Sequence, residues 1–237
     1  MTDTPPRLWA LIPAAGTGSR MQAASPKQYL PLAGKTLLEV TLGKFLSRRD
    51  LAGLLLVSAA DDSRAAALEL PLLRCSGGAS RADSVLAGVE FLLTQGAEGQ
   101  DYVLVHDAAR PCVTTERIDA LIQTVLAQGR GGLLACPVSD TLKQSDGEQL
   151  PATSCTLDRT QIWQAHTPQM FRLGELKAAL QQAKILGQAV TDEASALELT
   201  GVKPLLVADR RDNIKVTLPE DLALAEFILQ RHEEQGL

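Results

Sequence analysis

The stretch LWALIPAAGTGSRM, residues 8 to 21, decides the fold of this 237-residue chain. Its first five residues form an uninterrupted apolar run, which is typical of a buried strand. The small residues and glycines that follow let backbone N–H groups come close to an anion. Open α/β sheets bind ligands in this place, beyond the carboxyl end of a parallel strand. The stretch therefore predicts the first strand of such a sheet, followed by a loop that can hold phosphates.

Short apolar runs alternate with amphipathic segments along the rest of the chain. A capping box at Thr36 and Glu39 opens one helix, Ser80 caps another, and Thr217-Leu218-Pro219-Glu220 caps the last. This alternation predicts an α/β fold: a mostly parallel sheet with helices on both faces, in a single domain that spans residues 1–237. We predict further strands at 54–57, 102–106, 133–136 and 205–208, and helices at 36–48, 80–93, 118–128, 173–186 and 217–231.

Residues 138–164 break this alternation because they contain no helical stripe. Two β-like runs, at 139–143 and 153–157, flank the turn-rich Gln144-Ser145-Asp146-Gly147-Glu148. This pattern predicts a β-hairpin inserted into the domain. A lone hairpin cannot bury both of its faces within itself. We therefore expect this arm to lean on a second subunit.

The composition excludes several classes of partner. With 23 Lys and Arg against 28 Asp and Glu the formal net charge is −5, which disfavours nucleic acid and a polybasic membrane contact. The first residues, with an acid and two prolines, do not resemble a secretory signal. The four cysteines show no CxxC spacing, so we expect free buried thiols in a reducing cytoplasm and no metal site of cysteines.

The loop after the first strand fits neither of two common nucleotide motifs. A dinucleotide fingerprint needs a third glycine where Met21 stands, and a Walker A motif ending at Thr36 needs a glycine at Tyr29. Arg20 and Lys27 nevertheless add two cations beside a glycine-containing turn. In an acidic protein this combination indicates a small polyanionic ligand such as a nucleoside triphosphate.

Seven motifs occur in order along nearly the whole chain: PAAGxGxRM (13–21), PKQY (26–29), GGxxRADSV (77–85), VHDAARP (105–111), DRxxxWxxxTPQ (158–169), TDEASA (191–196) and DNIKVT (212–217). Taken together, they resemble the 2-C-methyl-D-erythritol 4-phosphate cytidylyltransferase family. The resemblance implies a Rossmann-like nucleotidyltransferase domain whose β-arm, at 138–164, clasps a second subunit. It also implies the use of CTP and magnesium to form a CDP-linked methylerythritol, with release of pyrophosphate.

The resemblance assigns roles to individual residues. Arg20, Lys27 and Lys215 are implied as catalytic cations that stabilise the charge that develops when two anions meet. Magnesium is implied to bind mainly through the CTP phosphates, and no protein ligand is assigned to it. The residues implied to bind CTP are Pro13, Ala14, Ala15, Gly16, Gly18, Gly78, Ser84 and Ala108.

A second set is implied to bind the polyol phosphate. Asp107 follows an apolar run at the end of a strand, which is a functional location in an open sheet. Thr191 is explained almost as well by a plain helix N-cap. Ala79 stands where the family commonly has an acid, which leaves open whether base selectivity is weaker. The complete set is Asp107, Arg110, Thr141, Arg159, Thr167 and Thr191.

Three other functions compete with this one. A cytidylyltransferase for another polyol phosphate, such as ribitol 5-phosphate, could share the fold. A catalytically silent nucleotide-binding relative would not need to retain Arg20, Lys27, Arg159 and Lys215 together. A glycosyltransferase would need an Asp-x-Asp near the strand ends, and the Asp61-Asp62 pair has the wrong spacing.

Overall fold

The computed structural model describes residues 5–16, 25–147 and 149–237. Gly18 and Arg20 fall outside these residues. The strands are β1 (Leu8–Pro13), β2 (Pro31–Leu32), β3 (Lys35–Thr36), β4 (Leu51–Ser58), β5 (Leu73–Ser76), β6 (Tyr102–Val105), β7 (Gly132–Pro137), β8 (Leu142–Ser145), β9 (Thr153–Leu157), β10 (Trp163–Arg172) and β11 (Leu205–Ala208). The helices are α1 (Leu37–Leu46), α2 (Ser63–Ala67), α3 (Arg81–Thr94), α4 (Thr115–Gln128), α5 (Leu173–Ile185), α6 (Glu193–Glu198) and α7 (Glu220–Gln235).

A seven-stranded sheet forms the centre of the molecule, in the order β11-β7-β10-β6-β1-β4-β5. β1 lies parallel to both β4 and β6, and β7 lies parallel to β11. β10 runs antiparallel to β6 and β7. The prediction of a mostly parallel α/β sheet is confirmed.

Helices cover both faces of this sheet, as the alternation predicted. On β1, Ala10 and Ile12 pack with α1 and α4 in one buried cluster, while Trp9 and Leu11 pack with α3 and α5 in another. A third cluster places α7 beside the start of α1. Because β1 is covered on both faces, it has the unbroken apolar sequence of a central strand.

The predicted helix caps are confirmed at two places and wrong at two others. Thr36 and Glu39 form the expected capping box, and the Ser80 hydroxyl accepts the N–H of Asp83. At α7, however, the carboxylate of Asp221 accepts the N–H groups of Thr217 and Leu218, so Thr217 does not act as the cap. At α6 the N-cap is Asp192 instead of Thr191, because the aspartate side chain accepts the N–H of Ser195.

The inserted hairpin consists of β8 and β9, which pair antiparallel in a small sheet of their own. Most of its residues are exposed, and Leu150 near its tip keeps 88% of its surface. Cys155 on β9 is exposed, so the expectation that all four thiols are buried is wrong there. Within the described residues, none of the helices is both long and apolar enough to cross a membrane.

Candidate active site

A cavity of about 270 Å³ opens beyond the carboxyl ends of β1 and β6. This is the edge at which open α/β sheets bind ligands. Five parts of the chain meet there: the loop after β1, the short 3-10 helix Lys27–Tyr29, the turn before α3, the segment after β6 and the segment before α7. The lining residues are Pro13, Ala14, Ala15, Gly16, Lys27, Gln28, Gly78, Ala79, Ser80, Arg81, Ser84, Asp107, Ala108, Ala109 and Lys215.

The start of the loop after β1 is held from two sides. The N–H of Ala14 donates to the carbonyl of Val57 at 2.7 Å. The carbonyl of Ala14 in turn accepts the amide Nε2 of buried Gln28 at 3.0 Å. Gln28 lies next to Lys27 in a short 3-10 helix, Lys27–Tyr29. The glutamine therefore fixes the loop and the neighbouring lysine in one arrangement.

The turn before α3 requires glycine. A Cβ at Gly77 would lie 2.7 Å from both the Cβ of Ala15 and the Oγ of Ser84. A Cβ at Gly78 would collide with the Cβ of Asp83. The N–H of Gly78 donates to the Ser84 hydroxyl at 3.1 Å. The wall of the cavity at this turn is therefore largely backbone, which suits close approach of a flat base or a phosphate.

Asp107 is a carboxylate that contacts two of the cationic side chains of the cavity. Its Oδ1 lies 3.0 Å from the guanidinium of Arg81, and its Oδ2 lies 2.8 Å from Nζ of Lys215. Burial alone would raise the pKa of this carboxyl, but Arg81 and Lys215 outweigh that effect and hold the pKa well below its usual range. Asp107 is therefore ionised at neutral pH and orients both cations.

Arg81 is shared between two carboxylates. Its Nη1 and Nη2 donate to Glu193 at 2.6 and 3.1 Å. Burial raises the pKa of Glu193, which is only 1% exposed, although Arg81 opposes the shift. This residue at the start of α6 thereby fixes the guanidinium that borders the cavity.

Lys27 also lines the cavity. Its Nζ donates to the backbone carbonyl of Val216 at 2.8 Å, directly after Lys215. The cavity thus has three cationic side chains, Lys27, Arg81 and Lys215, and one carboxylate, Asp107, among its described lining residues. This surplus of positive charge is suited to an anionic ligand.

A chain of buried hydrogen bonds supports the backbone that carries Asp107. The N–H of Asp107 donates to the hydroxyl of Thr167 at 3.1 Å. That hydroxyl lies 3.0 Å from Nδ1 of His106, whose Nε2 lies 2.9 Å from the carbonyl of Arg110. Burial lowers the pKa of His106 to about 4, so the ring is neutral, with Nε2–H donating and Nδ1 accepting. The chain fixes the backbone that carries Asp107.

The structure brings most of the predicted residues together. Pro13, Ala14, Ala15, Gly16, Lys27, Gly78, Ser84, Asp107, Ala108 and Lys215 line the cavity. Arg110 and Thr167 are buried behind it, where Arg110 donates to the carbonyl of Asn213 at 2.6 Å. Lys215 lies in a segment that is neither helix nor strand.

Three predicted residues lie elsewhere in this single chain. Thr141 and Arg159 are exposed at the base of the hairpin, where Arg159 donates to the carbonyl of Ser139. Thr191 is exposed just before α6. Gly18 and Arg20 belong to the residues that the structure does not describe.

Sequence reasoning gave no role to Gln28, Arg81 or Glu193. All three lie inside the quoted motifs, and this position was the only sign in the sequence that they could have a role. Their partners, however, are 14 to 112 residues away along the chain. Such pairings depend on tertiary structure, and residue spacing does not reveal them.

The mostly parallel sheet and the cationic cavity at its carboxyl edge are typical of an α/β nucleotide-binding protein. The sequence profile of the 2-C-methyl-D-erythritol 4-phosphate cytidylyltransferase (IspD) family matches residues 8–231. The chain belongs to this family.

Individual relatives agree. Enzymes of this name from Pseudomonas paraeruginosa and Pseudomonas putida are each 50% identical, covering 93% and 98% of this chain and 95% and 98% of their own. A crystal structure of a 4-diphosphocytidyl-2C-methyl-D-erythritol synthase superposes with a TM-score of 0.82 at 39% identity, covering 95% of this chain and 99% of that one. The cytidylyltransferase of Francisella tularensis has a TM-score of 0.80 at 35% identity, covering 94% and 99% of the two chains.

Proposed function

We propose that this protein transfers the CMP group of CTP to 2-C-methyl-D-erythritol 4-phosphate. The products are 4-diphosphocytidyl-2-C-methyl-D-erythritol and pyrophosphate, in non-mevalonate isoprenoid precursor synthesis. The observation that carries the proposal is the convergence of Lys27, Arg81 and Lys215 on one cavity beside a loop of small residues. Membership of the cytidylyltransferase family gives this cavity its substrates.

The reaction joins two anions, so its barrier is largely electrostatic. A phosphate oxygen of the polyol phosphate forms a bond to the α-phosphorus of CTP. The bond from that phosphorus to the bridging oxygen breaks, and pyrophosphate leaves with the electron pair. The attacking phosphate is already ionised at neutral pH, so no general base is needed. Lys27 and Lys215 neutralise charge that builds on the equatorial and leaving oxygens, with Arg20 assigned the same role by sequence.

The protein contacts that hold these lysines suit such a task. Lys27 donates to the carbonyl of Val216, and Lys215 pairs with Asp107. These contacts hold each Nζ at the edge of the cavity, and an ammonium group can donate up to three hydrogen bonds. Preorganised donors stabilise a transition state without reorganisation during the reaction.

Recognition of the base is assigned to the walls of the cavity. Ala14, Ala15, Gly78, Ser84 and Ala108 line the cavity and are assigned to CTP, whereas Asp107 is assigned to the hydroxyls of the polyol phosphate. Ala79 lines the cavity without a carboxylate. Cytosine selection would therefore rest on backbone groups at that position.

Magnesium fits this site as a companion of the triphosphate. Across the described ranges, no group of three His, Cys, Asp or Glu side chains could hold a metal ion. Mg²⁺ commonly binds through substrate phosphates and only one or two carboxylates. The described lining of the cavity has one carboxylate, Asp107, whose two oxygens already contact Arg81 and Lys215. When bound, the ion would neutralise phosphate charge, and most of its ligands would come from CTP.

The hairpin is assigned to dimerisation. Its exposed strands leave Thr141 and Arg159 away from the cavity of their own chain. If a second subunit accepts the arm, these two residues would reach that subunit's site and bind the polyol phosphate there.

Four free cysteines accord with a cytoplasmic location.

The proposal is tested by following phosphorus in the reaction mixture. Wild-type protein with CTP, Mg²⁺ and 2-C-methyl-D-erythritol 4-phosphate should convert the phosphomonoester signal into diphosphate-diester signals in ³¹P spectra, with one pyrophosphate per product. Omission of the polyol phosphate is the control. Pyrophosphate release without a new diphosphate diester would contradict the proposal.

A further inference from the structure

The segment that carries Lys215 has no regular structure to hold it in place. Residues 209–216, called here the lysine segment, connect β11 to the approach of α7 and include neither helix nor strand. Lys215 of this segment lies 2.8 Å from Asp107, and the carbonyl of Val216 accepts Lys27. Because no regular backbone ladder holds the segment, its path depends on specific hydrogen bonds.

Asp209 is the buried anchor at the start of the lysine segment. Its carboxylate is 0% exposed. Oδ2 accepts Nδ1–H of His166 and Nδ2–H of Asn213, each at 2.7 Å, and Oδ1 accepts the N–H of Arg210 at 2.7 Å. The carbonyl of Asp209 accepts the thiol of Cys136 at 3.0 Å. Three elements, β7, β10 and the segment itself, are thus tied to this residue.

Asn213 links Asp209 to the buried residues behind the cavity. It is 1% exposed, and its Nδ2 also donates to the carbonyl of Thr167 at 3.0 Å. Its own carbonyl accepts Nη1 of Arg110 at 2.6 Å. Thr167 and Arg110 are neighbours of Asp107 in the buried layer behind the cavity. Asn213 therefore fixes the segment against the same layer that holds Asp107, two residues before Lys215.

A buried carboxylate is weak evidence of a contribution to stability. Desolvation of the charge is costly, and a hydrophobic replacement is often equally stable. The side chains that contact the Asp209 carboxylate are the imidazole of His166 and the amide of Asn213. Such an arrangement is better explained by the one backbone path it enforces than by the energy it contributes.

We propose that Asp209 and Asn213 are positioning residues that set Lys215 against the reacting phosphates. The inference rests on the proposed function, since it requires Lys215 to act on the phosphates. Neither residue is among those that line the described cavity. They act through the backbone of the lysine segment, and a displacement of about 1 Å in a catalytic group can cost about a hundredfold in rate.

The decisive experiment is a double-mutant cycle on turnover. Asn213→Ala alone should lower kcat about 30- to 100-fold and change KM for CTP by less than about threefold. In a Lys215→Ala background the same substitution should lower kcat by less than about threefold, because the group it positions is already gone. A residue that merely stabilises the fold would reduce activity equally in both backgrounds.

Asp212→Asn is the matched control. Asp212 lies in the same segment, but its carboxylate bonds to Arg210 and to His232 of α7, and it is not buried against the site. Its replacement should leave kcat within about threefold of wild type. Circular dichroism and thermal unfolding verify that each variant is folded. If Asn213→Ala does not fold, the same double-mutant cycle is measured with Asp209→Asn, which keeps the size of the side chain.

The outcomes separate the inference from the function on which it rests. Wild-type protein without turnover would overturn the proposed function. Active wild-type protein with a folded Asn213→Ala variant of near-normal kcat would overturn only the positioning role. A loss of kcat that is equally large with and without Lys215 would also overturn it.

Discussion

Asp107 holds the charged side chains of the cavity in one arrangement. It binds Arg81 through one oxygen and Lys215 through the other. Lys27 is held by the carbonyl of Val216, next to Lys215. At the residue scale we therefore assign catalysis to fixed cations. Lys27→Ala should raise the barrier by about 3 to 4 kcal/mol, by analogy with the loss of an oxyanion donor.

Steady-state kinetics at saturating CTP test this. Lys35→Ala is the matched control, because Lys35 is exposed on β3 and does not line the cavity. The control should retain wild-type turnover. Near-normal kcat in Lys27→Ala would show that this lysine does not stabilise the transition state.

Sequence motifs located most of these residues but not how they are paired. Lys27, Asp107 and Lys215 stand out because charged residues follow apolar or small ones in recognised motifs. Arg81 and Glu193 do not stand out in the sequence, because their ion pair joins positions 112 residues apart. Gln28 similarly needs the carbonyl of Ala14 in place before its role is visible.

At the scale of elements, the packing of α3 on the sheet depends on Gly88. A Cβ there would lie 2.6 Å from Cδ1 of Leu11 and 2.9 Å from Cγ2 of Val57, both fully buried. Gly88→Ala should therefore lower the free energy of unfolding by about 1 to 3 kcal/mol through overpacking. A Cβ at Gly43 on α1 would meet no described atom within 4 Å, so Gly43→Ala should stabilise by about 0.5 to 1 kcal/mol.

Urea unfolding of the two variants measures this difference. Both substitutions add the same methyl group to a helix, so helix propensity alone would stabilise both. Equal effects of the same sign would contradict the close packing of α3 on β1.

Asp101 ties the start of β1 to the loop before β6 and makes this junction sensitive to acid. Its carboxylate accepts the N–H groups of Arg7 and Glu98 and the indole N–H of Trp9. Burial would raise the pKa of Asp101, but these donors outweigh it and hold the pKa below its usual value. A lowered pKa stabilises the fold above the unfolded-state pKa of about 4, and this contribution is lost as the pH falls through the folded-state value.

Asp101→Asn should accordingly lower the free energy of unfolding by about 2 kcal/mol at pH 7, because buried donors lose a charged acceptor. The difference from wild type should shrink as the pH is lowered below about 4. Denaturant titrations from pH 7 to pH 3 measure it. A difference that stays constant with pH would show that the ionised carboxylate is not the source.

Helices with clear caps were predictable, whereas β10 was not. Its sequence, WQAHTPQMFR, contains a proline and several polar residues, so it does not show the apolar run of a central strand. His166, Thr167 and Gln169 are buried there because tertiary hydrogen bonds satisfy them. Periodicity cannot reveal a strand whose polar residues are paired only in the folded protein.

At the scale of the whole molecule, we assign each active site to two subunits. Lys27→Ala and Arg159→Ala protein should each be nearly inactive alone. After mixing and subunit exchange, about a quarter of wild-type activity should return, because half of the dimers are mixed and each of these has one intact site. Native mass spectrometry verifies the exchange. Verified mixed dimers without activity would contradict a shared site.

The acidity of the whole molecule does not oppose an anionic ligand. The net charge of −5 disfavours a long polyanion, while Lys27, Arg81 and Lys215 surround a cavity of about 270 Å³. A small triphosphate can thus bind an acidic protein where cations are concentrated.

Pyrophosphate release with purified protein, Mg²⁺ and a panel of nucleotides and polyol phosphates tests the central claim most directly. We predict that CTP with 2-C-methyl-D-erythritol 4-phosphate gives a kcat/KM at least about a hundredfold above that with ribitol 5-phosphate or with UTP. Equal or faster turnover of ribitol 5-phosphate, or no turnover of the methylerythritol phosphate by folded protein, would contradict it.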